Sequence, residues 1–174
     1  MIYEGISHPP AEIEYVLKDS EATVVICDKA HETTLKPIAE KLNIECITLN
    51  EATSNKEIKN KEYKIEEMDG NRGAMIVYTS GTTGRPKGVV TTHNNIESQI
   101  KTMITSWEWS NKDHILHVLP LHHVHGIVNV LLCPLYIGAT CEIFPKFDSK
   151  LVWDRIIHGN DVTLFMAVPT IYCK

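Results

Sequence analysis

The sequence predicts an α/β domain, with a mainly parallel sheet and flanking helices. Two observations lead there. Short apolar runs of strand length alternate with stretches of helical periodicity along the chain. The composition, 43% hydrophobic and 22% charged over 174 residues, is that of a globular protein with room for one ordinary domain.

The elements follow in order. Ile13, Val16 and Leu17 share one face of a short helix, and residues 23–27 read as the strand after it. Leu35, Ile38, Ala39 and Leu42 repeat at helical spacing. Pro37 is compatible with that helix if Thr34 caps it, because first-turn N–H groups have no intrahelical partner. Residues 44–49 form a second strand. Residues 50–72 are polar and rich in lysine and glutamate, as in a long surface connection. A strand at 74–78, a Gly/Thr-rich turn and a helix with Ile96, Ile100, Met103, Ile104 and Trp107 on its apolar face come next. Residues 114–119 read as a strand and 127–137 as a buried helix, bent near Pro134. Strands at 139–144 and 163–168 flank an amphipathic helix around 151–157, with Asp148 as a turn or cap residue and Asp154 solvated. Trp107 and Trp109 read as packing at a helix end.

Charge and composition exclude several classes. The apolar run 130–137 is far short of the ~20 residues that span a bilayer. The net charge of −5 is uneven: residues 1–70 hold 8 Lys/Arg against 15 Asp/Glu, and residues 71–174 hold 9 against 7. An acidic first part argues against a nucleic-acid partner. The near-neutral remainder suits a small anion. The first residues lack the pattern of a signal or transit peptide. Cys27, Cys46, Cys133, Cys141 and Cys173 contain no C-x-x-C pair and read as free thiols of a reducing compartment.

The chemistry concentrates in residues 79–88: Thr79, Ser80, Gly81, Thr82, Thr83, Gly84, Arg85, Pro86, Lys87 and Gly88. Glycines let backbone N–H groups approach phosphate, hydroxyls donate to its oxygens, and Lys87 supplies a mobile positive charge. Placed between a strand and a helix, the loop would add the helix dipole to that site. Pro86 stands where a Walker A loop requires glycine. Arg85 reads equally as a phosphate contact or as a solvated side chain.

The second landmark is residues 119–126, with His122, His123 and His125 before Gly126. Three histidines after a strand suit a metal site, a polar pocket wall, or ordinary structural histidines. No cysteine or carboxylate stands at zinc-ligand spacing nearby.

Residues 76–87 resemble the AMP-binding signature of the adenylate-forming superfamily, which holds acyl-CoA synthetases, luciferases and peptide-synthetase adenylation domains. The resemblance implies that the loop grips the β- and γ-phosphates of ATP, with Mg2+, while a carboxylic acid attacks the α-phosphorus. Coenzyme A then displaces AMP from the acyl-AMP. It also implies that His123 lines the acyl pocket, with His122, His125 and Gly126 beside it. His122 departs from the pattern, which usually has an aromatic residue there.

Together with residues 144–148 (FPKFD) and 165–172 (FMAVPTIY), the segment 119–126 resembles the malonyl-CoA synthetase branch of that superfamily. The resemblance implies malonate as the acid, lipid metabolism as the setting and the mitochondrion as the location. A medium- or long-chain fatty acyl-CoA synthetase, an inactive nucleotide-binding fragment and a histidine-rich metal-binding module are the alternatives. No cation stands between Gly126 and Lys146 to clamp a second carboxylate. The superfamily's ribose-binding motif and its C-terminal subdomain with the catalytic lysine have no counterpart here. The expectation is therefore a partial AMP-binding N-terminal domain over 1–174, incomplete at both ends and inactive alone.

Overall fold

A computed structural model describes residues 8–49, 67–79 and 84–174. The chain divides into two compact units, residues 1–69 with 78–90, and residues 70–77 with 91–174.

In the first unit, α1 (Pro10–Asp19) buries Ile13 and Val16. It leads to β1 (Val24–Cys27), then α2 (Glu32–Leu42) and β2 (Glu45–Thr48). β1 and β2 pair in parallel, from Val24 opposite Glu45 to Cys27 opposite Thr48. Asn43 closes α2 at φ 56°, a left-handed conformation that asparagine tolerates better than most residues. Thr34 is not the cap of α2. The cap is His31, whose N–H bonds Asp28 Oδ1 at 3.0 Å, and Pro37 therefore lies inside the helix rather than in its first turn. Its missing N–H leaves the Thr33 carbonyl without the usual i+4 donor.

β3 (Gly73–Thr79) and β4 (Lys87–Thr92) form a two-stranded sheet. β4 corrects the expected strand–loop–helix order. The Gly/Thr-rich loop joins two strands, and α3 (His93–Ser106) starts only after β4. The run Gly88, Val89, Val90, Thr91 explains why: β-branched residues favour strand over helix. The helix begins where Thr92 and Asn95 make a reciprocal cap. Asn95 N–H donates to Thr92 Oγ1 at 3.2 Å, and Thr92 N–H donates to Asn95 Oδ1 at 3.1 Å.

The second unit centres on β5 (His114–His117), between β6 (Thr140–Ile143) and β7 (Leu164–Phe165), all parallel. Between β5 and β6 run a π-helix (His125–Leu132) and α4 (Cys133–Ile137). The winding changes just before Pro134, where the sequence predicts a bend. α5 (Ser149–Gly159) joins β6 to β7, its N-terminus capped by Asp148, whose Oδ1 accepts the Leu151 N–H at 3.0 Å. The predicted strand 163–168 shortens to two residues, because Pro169 starts a single helical turn, α6 (Pro169–Tyr172).

β5 is buried on both faces, as a central parallel strand should be. Ile115 and Leu119 pack with Ile100, Val128, Val130 and Cys133 on one side. Leu116 and Val118 pack with Val152 of α5 on the other. Trp107 does not complete the core face of α3. It is 54% exposed and meets the buried Trp109 edge-on, with 6.4 Å between ring centroids. The amino-terminal side of the sheet is fastened by polar contacts. His114 N–H donates to Thr163 Oγ1 at 3.0 Å, and that hydroxyl donates to Asp113 Oδ1 at 2.8 Å. The five cysteines are free thiols; Cys27 and Cys133 are buried and Cys173 is exposed.

Candidate active site

Two groups of residues carry the expected chemistry, one in each unit. In the first, Thr79, Gly84, Arg85, Pro86 and Lys87 are described, while Ser80, Gly81, Thr82 and Thr83 lie outside the described residues. Gly84 has φ +133°, a backbone conformation that side-chain-bearing residues rarely adopt. The exit of the loop is anchored to α1. Tyr15 OH donates to the Pro86 carbonyl at 3.1 Å, and the Arg85 guanidinium carbon lies 5.4 Å from the centre of the Tyr15 ring. Arg85 thus has a cation–π partner, a role its pattern in the sequence does not reveal. Tyr78 packs edge-on against Tyr15 at 6.4 Å and donates to Asp19 Oδ2 at 2.7 Å. Burial, then the Asp19 carboxylate, push the Tyr78 phenol above its ordinary range, so it stays a donor at neutral pH. Lys87 is exposed at the first position of β4, and Thr79 Oγ1 donates to its carbonyl at 3.5 Å. With a positive-φ glycine, an anchored exit and an exposed lysine, the described part of the loop has the chemistry to hold a polyphosphate. The helix dipole is not part of it, since among the described residues the loop runs into β4 and the next helix begins only at His93.

The second group lies at the carboxyl end of β5. The chain leaves β5 for helices on one face of the sheet and leaves β6 for α5 on the other. Such a reversal opens a crevice at the carboxyl ends of adjacent strands, where open α/β sheets bind ligands. The residues after β5 turn there. His123 N–H bonds the Pro120 carbonyl at 3.4 Å, and Ile127 N–H bonds the His123 carbonyl at 3.0 Å as the π-helix begins. His122 is half-buried and its ring lies 4.3 Å from that of exposed His123, tilted by 51°. His125 is half-buried at the first position of the π-helix. Gly126 is buried against the turn: a Cβ there would sit 2.2 Å from the Pro120 carbonyl oxygen. Only glycine lets the helix start this close to the preceding backbone. Among the described residues no three metal-ligating side chains converge.

His117, the last residue of β5, is fully buried beneath this turn. Its Nδ1 accepts the Leu119 N–H at 3.1 Å, and its Nε2 has no hydrogen-bond partner. Burial lowers its pKa, the Gly126 backbone opposes that, and neighbouring His125 adds to it. The sequence reading missed His117, Tyr15 and Tyr78. His117 alone left a signal, a histidine inside a strand with apolar residues on both sides.

The AMP-binding enzyme family matches residues 5–174. The chain belongs to that family. The mitochondrial malonate–CoA ligase of Xenopus laevis is 49% identical over 97% of this chain and 30% of its own length. ATP-bound MatB from Rhodopseudomonas palustris superposes with a TM-score of 0.85 at 28% identity, over 99% of this chain and 35% of that one. The inhibitor-bound N-terminal domain of FACL13 from Mycobacterium tuberculosis superposes with a TM-score of 0.86 at 26% identity, over 97% and 43%. This AMP-binding chain thus spans about a third of the proteins it matches and has the N-terminal-domain fold of adenylate-forming enzymes.

Proposed function

We propose that the protein containing this chain is an ATP-dependent acid–CoA ligase that converts malonate to malonyl-CoA. The observation that carries the reading is the 49% identity, over nearly the whole chain, to a malonate–CoA ligase. The geometry adds two supports: an anchored phosphate loop and an imidazole-lined turn at the sheet's switch point.

In this reading residues 79–87 hold the β- and γ-phosphates, with Lys87 neutralising charge and Mg2+ accompanying the triphosphate. Ser80, Gly81, Thr82 and Thr83 belong to that assignment by their place in the loop. One malonate carboxylate attacks the α-phosphorus, forming the acyl–phosphate bond as pyrophosphate leaves. The thiol of coenzyme A then attacks the acyl carbon, and AMP leaves. The second malonate carboxylate needs hydrogen-bond donors once it leaves water. The His123 and His125 imidazoles are donors at the turn, with His122 and Gly126 shaping it. Residues 1–174 are then part of the N-terminal domain, with the polar connection at about 50–72. The location is the mitochondrion, as named for the Xenopus relative.

The test is selectivity in the complete protein. Changing His123 and His125 together to leucine leaves the free carboxylate poorly paired, at a cost of about 1–3 kcal/mol. The ratio of kcat/KM for malonate to that for butyrate should fall at least several-fold. An unchanged ratio would remove these histidines from dicarboxylate recognition.

A further inference from the structure

We propose that His117 is a positioning residue for acid binding: held as the neutral Nε2–H tautomer, it is the buried post that fixes the 118–126 turn. The proposal rests on the reading of that turn as the acid pocket. It goes beyond it by assigning a function to a fully buried residue that the reading of the pocket does not use.

The tautomer follows from the hydrogen bond. Leu119 N–H donates to Nδ1 at 3.1 Å, so Nδ1 must carry a lone pair and the ring proton must sit on Nε2. The ring is fully buried, so water does not replace that acceptor. Leu119 lies two residues past the end of β5, where the chain bends, and the bond sets the direction in which the turn departs. From there the backbone is already tight: the Pro120 carbonyl accepts the His123 N–H, and it leaves no room for a Cβ at Gly126. A shift at Leu119 is therefore passed to His123 and His125 rather than absorbed. Nε2 is buried without a hydrogen-bond partner among the described residues, and the Gly126 backbone and His125 are near enough to influence the ring. A doubly protonated ring would lose the Leu119 bond, since Nδ1 would become a donor facing a donor.

The experiment uses the complete protein with three changes: His117→Leu, which removes both ring nitrogens; His117→Asn, which keeps an acceptor near Nδ1; and His123→Ala. Two readouts are followed, KM for malonate and for ATP, and hydrogen exchange in peptides spanning 118–126. With His117→Leu, KM for malonate should rise roughly three- to tenfold, the scale of one buried hydrogen bond. KM for ATP should hold, and exchange in the turn should quicken. His117→Asn should restore both. A scaffold role alone would lower kcat or protein yield without separating the two KM values, and that result overturns the proposal. So does failure of His117→Asn to restore the turn.

His123→Ala separates the two readings. If it raises KM for malonate and His117→Leu does not, the pocket stands and the post falls. If it leaves KM for malonate unchanged, the pocket reading fails. The exchange data then decide the post by themselves: faster exchange in Leu but not Asn supports it, and unchanged exchange overturns it.

Discussion

Gly126→Ala is the sharpest perturbation the turn offers, because the added atom meets backbone rather than a movable side chain. The new Cβ would lie 2.2 Å from the Pro120 oxygen, 2.9 Å from the Pro120 carbon and 3.4 Å from the Leu119 oxygen. Relieving the first contact to an ordinary separation needs the two segments to part by about 1 Å. Forcing one extra carbon into a packed site typically costs about 1–3 kcal/mol. A displacement of that size at a pocket wall can reduce turnover on the order of 100-fold. In the complete protein, Tm should fall and kcat/KM for malonate should drop by about 10- to 100-fold, with KM for ATP changed far less. Gly138, which sits at φ +74° with open space around it, provides the control. Gly138→Ala should cost stability through backbone strain while leaving acid selectivity intact. Wild-type kinetics and Tm for Gly126→Ala would show that the turn yields easily, and would refute the claim that its geometry is fixed.

Three further outcomes are expected. Lys87→Ala should lower adenylation kcat/KM by about 10- to 150-fold, the loss of one charge-assisted contact of roughly 1.5–3 kcal/mol; steady-state kinetics with varied ATP checks this. Asp148→Ala removes the N-cap of α5 and should cost about 0.5–2 kcal/mol by denaturant unfolding, with no change in malonate-to-butyrate selectivity. His117 gives a pH signature. Its folded pKa is depressed from the ordinary 6.5, so its contribution to stability is complete above that value and is lost as pH falls through the folded pKa. Melting curves from pH 7.5 to 5 should show wild type losing more Tm than His117→Asn, and parallel losses would remove His117 as the cause.

The strands and helices that the sequence makes legible are those with clean periodicity. α1, β1, α3 and α5 lie where their apolar spacing puts them, and Asp148 sits at a cap. The departures have local causes. β-branched Val89 and Val90 extend a second strand where a helix is expected, and with it goes the helix dipole as a source of phosphate affinity. α2 begins early enough to enclose Pro37, a cost that propensity alone would not accept. Trp109 rather than Trp107 is buried, because Glu108 turns the chain at φ 55°. The Gly/Thr-rich loop is visible as composition, yet the anchorage of its exit is not, since Tyr15 lies 71 residues from Pro86. His117 leaves a trace, a histidine among apolar strand residues, but it gains meaning only when the Leu119 N–H is seen against its ring.

The central claim is that the protein containing this chain joins malonate to coenzyme A, and product analysis tests it directly. Purified complete protein is incubated with ATP, Mg2+, coenzyme A and either malonate or butyrate, and the thioester, AMP and pyrophosphate are quantified. The account predicts malonyl-CoA with one AMP and one pyrophosphate formed per thioester, and much less product from butyrate. Butyryl-CoA in excess of malonyl-CoA, or ADP in place of AMP, would contradict it.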